Sequence, residues 1–161
     1  MIMLTISDER AALVLPEVAV YHVPEVMIMR YANVLPPIDQ LLSLYSDAGW
    51  SAYTAVPELL LRAVENSLHV VTAWENDQLV GLARAVGDGV SILFVQDVLV
   101  HSSFHHSGVG TQLVAMLLSA FPSVRQVVLL TDDSPASASF YTGLGFSRAE
   151  DKACAAYVQF R

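Results

Sequence analysis

Apolar positions change their period along this chain, and the changes predict the order of helices and strands. Between Ile38 and Tyr45 apolar residues recur at 38, 41, 42 and 45, the spacing of one helix face. Pro57, a favoured first-turn residue, opens a second helical stretch to about Glu65. Residues 27–34 predict a strand ahead of both helices.

Three predicted strands with short connections follow. Asn76-Asp77 joins the first to the second, and Gly87-Asp88-Gly89 joins the second to the third, so an antiparallel meander is expected. The three strands cover 68–74, 78–86 and 91–100, and are followed by an apolar helix at 108–121, a buried strand at 124–131, a short helix at 137–144 and a last strand at 153–160.

This order predicts one α/β (α+β) domain over residues 25–161. Its mixed central sheet has an antiparallel meander followed by strand–helix–strand, with helices on both faces. Residues 1–24, broken by Pro16 and Pro24, form an N-terminal extension to which we assign no structure.

Composition narrows the function classes. The 161 residues fit one core, and 54% apolar against 15% charged residues excludes extended disorder. Sixteen acidic and eight basic residues give a net charge of -8, which argues against nucleic-acid binding and against adsorption to anionic lipid. The high apolar content favours a self-association surface, and we expect a homodimer.

Cysteine and terminal composition indicate a cytoplasmic protein. The single cysteine, Cys154, excludes an internal disulfide framework. Residues 1–10 lack the basic region of a secretory signal, and the uncharged run 98–124 is interrupted by histidines and glycines too early to cross a bilayer. Adjacent histidines such as His105 and His106 rarely converge on one ion, so no metal is predicted.

A loop with two glycines joins the third meander strand to the apolar helix. Residues 95–110 read VQDVLVHSSFHHSGVG. Amides at a helix start attract anions and glycines permit close approach, which favours a phosphate-bearing cofactor; glycines used only for packing are the alternative. Because no Lys or Arg lies between Arg84 and Arg125, main-chain amides and His105 or His106 must hold the phosphates.

A dinucleotide fold competes for this loop. It places G-x-G between strand and helix with an acidic residue about 20 positions later, as at Asp132. However, Leu113 stands where its third glycine is needed, and the glycines follow an antiparallel meander. We rank this alternative second.

The chain resembles the GCN5-related N-acetyltransferase (GNAT) family over roughly residues 27–160. The family's Gln/Arg-x-x-Gly-x-Gly/Ala loop is similar to His105-His106-Ser107-Gly108-Val109-Gly110, and its Asn-x-x-Ala-x-x-x-Tyr stretch ending in Gly-Phe is similar to residues 134–146, SPASASFYTGLGF. His105 and Ser107 depart from the usual residues, which reduces side-chain help for the phosphates. Ser134 and Ser137 also depart from the usual residues, on the helix surface that would face the pantetheine arm.

The resemblance implies acetyl-CoA as cofactor, with its pyrophosphate on the loop amides and its pantetheine arm added to the strand like an extra β-strand. The residues so implied as cofactor-binding are Val98, Leu99, Val100, His105, His106, Ser107, Gly108, Val109, Gly110, Thr111, Ser134, Ser137 and Phe140.

Acetyl transfer to an amine needs a deprotonated amine, a donor for the oxyanion and a proton for the leaving thiolate. Tyr141 matches the family's general acid, with a core aromatic beside Phe140 as the plainer interpretation. Asp97 is the weaker candidate for general base, since a carboxylate tied to nearby backbone is equally expected there. A backbone N–H near Val98 or Leu99 is the candidate oxyanion donor.

The acceptor site is predicted between the first two helices. Tyr45, Asp47, Trp50 and Tyr53 lie where the family shapes that pocket, and aromatic rings with a carboxylate suit a cationic amine; a hydrophobic hinge between helices is the alternative. The runs GWSAY and GLARAVGDG are similar to a bacterial branch related to plant-type serotonin N-acetyltransferases, which points to an arylalkylamine.

The sequence thus predicts a transferase that moves an acetyl group from acetyl-CoA to a small primary amine by direct transfer. A non-catalytic CoA-sensing module is the alternative from another class, and a dinucleotide-binding protein is the third.

Overall fold

A computed structural model describes residues 28–160, which contain five strands and five α-helices. The strands are β1 Met29–Ala32, β2 His69–Glu75, β3 Gln78–Gly87, β4 Ile92–Val100 and β5 Gln126–Leu129. The helices are α1 Ile38–Asp47, α2 Ser51–Thr54, α3 Pro57–Glu65, α4 Val109–Ser119 and α5 Pro135–Gly143, and short 3₁₀ turns cover Ser102–Phe104 and Glu150–Lys152.

The strands form one mixed sheet in sequence order. β1 to β4 pair antiparallel, and the predicted turns join β2 to β3 and β3 to β4; β5 pairs parallel to β4 after the α4 crossover. The predicted α+β architecture is therefore confirmed. A single parallel pair at one edge is not the doubly wound parallel sheet of a dinucleotide fold, which removes that alternative.

Each face of the sheet carries its own apolar core. One core joins α1 and α3 to β2, β3 and β4 through side chains such as Leu41, Leu60 and Leu82. The other joins α4 to the opposite face through Leu113 and Leu117. A Cβ on Gly81 of β3 would lie 2.9 Å from the Leu113 side chain, so the glycine that permits close helix–strand packing stands on the strand rather than in the helix.

A bulge in β4 reverses which face its side chains meet. Arg84 pairs with Asp97 and the next β3 residue pairs with Val95, so Gln96 is an extra residue without a β3 partner. Before the bulge Val95 packs in the α4 core, whereas after it Leu99 packs in the α1/α3 core. The bulge thus turns Asp97 toward α1.

Three sequence expectations need correction or lie outside the described residues. The predicted strand at 153–160 does not form: these residues pair with no strand, and Tyr157 is 96% exposed. Apolar composition favours a strand, but a strand also needs a partner edge. The short helix α2 was not predicted, and the extension at residues 1–24 lies outside the described part of the chain. Within residues 28–160 no helix has the length and apolar character that a membrane span requires.

Candidate active site

The candidate site begins where β4 and β5 separate. Their pairing ends at Val95 opposite Leu129, while β4 continues to Val100. The His101 amide donates to the Val80 carbonyl oxygen of β3 at 2.8 Å. Because successive strand residues direct their amides to opposite sides, the amides of Val98 and Val100 face the side that β5 has left. An extended ligand can pair with this edge.

A cleft of about 770 Å³ opens along this edge between α4 and α5. Most of the predicted cofactor-binding residues line this cleft. Leu99, Ser107 and Ser134 do not, and the Leu99 side chain is buried in the α1/α3 core on one face of the sheet. The lining residues are Trp50, Val98, Val100, Phe104, His105, His106, Gly108, Val109, Gly110, Thr111, Thr131, Asp132, Ala136, Ser137, Ser139, Phe140 and Tyr141.

The start of α4 presents free amides to the cleft. The first helical donor is the Gln112 amide, which reaches the Gly108 carbonyl oxygen at 3.0 Å, so the amides of Val109, Gly110 and Thr111 precede the helical ladder. Gly108 has φ +86° and open space where a Cβ would stand. This combination of helix dipole, unpaired amides and room suits a phosphate group.

The three loop histidines have different surroundings. His105 Nε2 donates to the Val100 carbonyl oxygen at 2.9 Å, which holds this ring against the open strand edge. His101 Nδ1 accepts from the Ser103 amide, and His106 takes a positive φ of 61°. Within residues 28–160 no three His, Cys, Asp or Glu side chains converge as a metal site would require.

Asp47, expected at the acceptor pocket, instead anchors this loop. Its two carboxylate oxygens accept from the Ser102 amide at 2.7 Å and from the Ser102 hydroxyl at 2.8 Å. The Ser102 amide is also the main reason why the pKa of Asp47 lies below its usual range. Asp47 therefore connects α1 to the loop and does not line the cleft.

Helix α5 forms the opposite wall. Ser134 caps it by accepting from the Ser137 amide at 3.1 Å, and Phe140 packs against the start of α4, where a Cβ on Gly110 would lie 3.3 Å from its ring. Gly110 thus permits the two helices to approach. Tyr141 is half-buried, and burial, with a smaller contribution from Asp132, raises the pKa of its hydroxyl.

A second cavity of about 220 Å³ adjoins the cleft. It is lined by Trp50, Val95, Gln96, Val98, Leu130, Thr131, Asp132 and Tyr141. Five of these residues also line the larger cleft, among them Tyr141 and Asp132. Two ligands, one in each cavity, would therefore meet among these shared residues, beside Tyr141 and Asp132.

Asp132 stands at this junction as a carboxylate with one occupied oxygen. Its Oδ1 accepts from the Ser137 hydroxyl and from the Thr131 hydroxyl, the latter at 3.1 Å. These hydroxyls, Ser137 first, hold the pKa of Asp132 below its usual range. Oδ2 receives no hydrogen bond from residues 28–160.

Asp97, the candidate base, has a different environment. It is 1% exposed, and its Oδ2 accepts from Arg84 Nε and, at 2.7 Å, from the Tyr45 hydroxyl. Oδ1 accepts from the Tyr53 hydroxyl at 3.3 Å. Both oxygens thus accept hydrogen bonds from described side chains, and Asp97 lines neither cavity, so its role as general base stays a prediction.

The predicted acceptor aromatics divide between core and cavity. Tyr45 is fully buried and contacts Trp50 edge to face at 5.9 Å between ring centroids. Tyr53 lies behind the second cavity, where its hydroxyl accepts from Gln96 Nε2 at 3.2 Å. Only Trp50 of these aromatics lines the cavities.

Sequence reasoning missed Gln96 and Asp132 as residues that line the second cavity. From the sequence, Asp132 was named only as the acidic residue of the dinucleotide pattern. Its position directly after a strand and ahead of the α5 cap was the available signal, because strand ends and helix starts collect site residues in such sheets.

The whole chain was then compared with known proteins. Residues 41–161 match the family model described as "Acetyltransferase (GNAT) domain". The fold is similar to a GNAT-family acetyltransferase from Streptococcus pneumoniae, with 30% identity, a TM-score of 0.73, and coverage of 84% of this chain and 98% of the other. No curated protein gives a significant match.

Two more distant structures share the fold. A probable acetyltransferase from Staphylococcus aureus has 22% identity and a TM-score of 0.70, over 83% of this chain and all of the other. The aminoglycoside N-acetyltransferase AAC(6')-Iy, solved in complex with CoA, has 20% identity and a TM-score of 0.62, over 86% of this chain and 97% of its own.

Proposed function

This chain belongs to the GNAT family of acetyltransferases, whose acetyl donor is acetyl-CoA, and we propose that it transfers the acetyl group directly to a small primary amine. The observation that carries the proposal is the junction of the two cavities at Tyr141. A donor in the larger cleft and an acceptor in the smaller cavity meet there without a covalent enzyme intermediate.

The residues of the cleft fit the cofactor. The amides of Val109, Gly110 and Thr111 would hold its pyrophosphate, with Gly108 leaving room for the phosphate oxygens. The outward amide of Val100 would pair with the pantetheine arm. No Lys or Arg lines this cleft, so attraction of the anionic cofactor is local to the loop.

When bound, the cofactor supplies a thioester carbonyl for attack by an unprotonated amine. The Val98 amide, which faces the open edge, is the proposed oxyanion donor. Tyr141 is the proposed general acid for the departing thiolate, because it lines both cavities and its hydroxyl is protonated at neutral pH. Asp97 is not assigned the base; removal of the ammonium proton to water requires no further side chain.

The acceptor class is inferred from the sequence and from the lining of the smaller cavity. The similarity of GWSAY to the plant-type serotonin branch, together with Trp50 in the smaller cavity, supports an arylalkylamine. AAC(6')-Iy, an aminoglycoside N-acetyltransferase, shares only the fold at 20% identity, so it does not guide the choice of acceptor.

A homodimer and a cytoplasmic location also stay predictions. Ile28, Val90 and Phe160 are large apolar side chains with 75%, 74% and 93% exposure, and they support a surface for a second copy. Light scattering on the purified full chain tests the dimer.

The central test is Tyr141→Phe. We expect kcat to fall about 10²- to 10⁴-fold, the usual contribution of a general acid, with acetyl-CoA affinity unchanged. CoA release with a panel of primary amines measures turnover. Equal turnover in the two proteins across several pH values would remove Tyr141 from the mechanism, and no CoA release by the wild type with any amine would favour the CoA-sensing module.

A further inference from the structure

We propose that Asp132 is the ammonium-binding residue of the acceptor site, and that the acceptor is a compact monoamine whose apolar body lies against Trp50. This inference rests on the acetyl transfer proposed above and gives that reaction its substrate class.

Asp132 is the one acidic side chain that lines either cavity in the described part of the chain. The smaller cavity is otherwise lined by apolar residues, Thr131, the Gln96 amide and Tyr141. No Lys or Arg lines either space to compete with an ammonium group for the carboxylate. A cation entering the smaller cavity therefore finds a single full countercharge, adjacent to the proposed acid.

The surrounding hydroxyls orient this carboxylate. Ser137 and Thr131 donate to Oδ1, and Ser137 is itself positioned by the Ser134 cap, whose hydroxyl lies 3.1 Å from that of Ser137. Oδ2 is left without a donor from residues 28–160. A preoriented carboxylate with one unoccupied oxygen is suited to bind a cation, because little ordering is needed on binding.

The same hydroxyls argue against Asp132 as a strong general base. They stabilise the anion and keep the pKa of Asp132 low, so it remains charged through neutral pH but takes up protons poorly. Ion pairing is the role that these properties favour.

Cavity size restricts the acceptor. A volume of about 220 Å³ is below the ~300–1,000 Å³ of pockets for drug-sized ligands. The Trp50 ring offers an apolar and cation-attracting face on one wall. A compact amine with one cationic group and an aromatic or aliphatic body matches both the volume and the single countercharge.

The test compares Asp132→Asn with the matched control Asp133→Asn. Asp133 is the neighbouring carboxylate; its side chain is 82% exposed and pairs with Arg148 at 2.9 Å, so the control removes the same charge without touching the site. Asp132→Glu, which retains the charge, serves as the rescue variant. 2-Phenylethylamine and tryptamine are the probes, with 2-phenylethanol as the uncharged analogue.

Two readouts are needed: kinetics at saturating acetyl-CoA with varied amine, and amine binding by calorimetry in the presence of CoA. We expect Asp132→Asn to raise the amine KM and Kd about 10- to 100-fold, which corresponds to the loss of a hydrogen bond to a charged group. The acetyl-CoA Kd should stay constant, Asp133→Asn should behave as wild type, Asp132→Glu should recover part of the affinity, and 2-phenylethanol should not bind.

The outcomes separate this inference from the proposed function. If the wild type acetylates the amines and Asp132→Asn leaves the amine KM unchanged, Asp132 is not the ammonium-binding residue, whereas the proposed acetyl transfer still holds. Amine binding that depends on Asp132 but gives no CoA release supports the anchor and contradicts acetyl transfer. A fall in kcat alone assigns Asp132 to the chemical step and overturns the anchor. Absence of both binding and turnover with the amines overturns both proposals.

Discussion

Asp97, within β4, and Asp132, shortly after β5, are two aspartates with opposite surroundings. Asp97 is buried among Arg84, Tyr45 and Tyr53, which occupy both of its oxygens. Asp132 is exposed at the junction of two cavities, and hydroxyl donors occupy only its Oδ1. The same side chain thus joins secondary-structure elements in one region and remains open to ligand in the other.

The contrast in burial and hydrogen-bond partners between Asp97 and Asp132 gives a criterion that separates a structural from a functional carboxylate. Burial alone does not mark Asp97 as functional, because its burial is matched by a cation and two hydroxyls. Asp132 is the more accessible group, yet it keeps an acceptor unused beside Tyr141. A carboxylate oxygen that lies at a cavity and accepts no hydrogen bond from the described residues is therefore a better indicator of a functional carboxylate than burial is.

Removing the buried charge should give the largest stability effect. Asp97→Asn leaves the Arg84 guanidinium, which is 5% exposed, without its counterion, and we expect a loss of about 3–5 kcal/mol in unfolding free energy. Chemical denaturation measures it. Asp133→Asn is the control, with an expected change below about 1 kcal/mol for an exposed pair. Similar losses in the two variants would contradict the structural role of Asp97.

Removing one hydroxyl from the same network should have a smaller effect. Tyr45→Phe leaves the Asp97 carboxylate with one buried donor fewer, and we expect a loss of about 1–3 kcal/mol near pH 7 by the same denaturation measurement. Tyr141→Phe, also a loss of one tyrosine hydroxyl, is the stability control; we expect it to change stability less because Tyr141 is only half-buried and lines the cleft.

The Tyr45 network also predicts alkaline sensitivity. Burial, and next the Asp97 charge, raise the pKa of Tyr45. Above pH ~10 the unfolded chain releases this proton while the folded chain retains it, so the wild-type unfolding free energy should fall with rising pH. The difference in unfolding free energy between wild type and Tyr45→Phe should therefore become smaller as the pH rises above ~10. A gap that stays constant to pH 11 would contradict the shift.

Neutralising the open carboxylate should have the smallest stability effect. Asp132→Asn removes no buried partner, and we expect a change within about 0.5 kcal/mol by chemical denaturation, even though its effect on amine KM is large. Stability and substrate affinity should therefore respond in opposite order at the two aspartates. A loss in Asp132→Asn equal to that in Asp97→Asn would remove the contrast.

Much of the fold follows from local pattern. The helical spacing from Ile38 and the turns at Asn76-Asp77 and 87–89 were confirmed by α1 and the meander. The glycine loop lies at the start of α4 as predicted, because glycine conformation and helix initiation are local properties. The strand at 153–160 failed, since pairing depends on an edge elsewhere in the chain.

The family and the order of helices and strands could be inferred from the sequence alone, because both depend on short-range spacing of residues. The amides that would receive a phosphate could be inferred as well, because they follow from backbone geometry at a helix start. Tertiary structure decided which aspartate is available. A bulge at Gln96 turned Asp97 into the α1 core, and the separation of β4 from β5 left Asp132 at the cavity junction. Burial and partner occupancy arise only when distant elements pack, and no local pattern of residues specifies them.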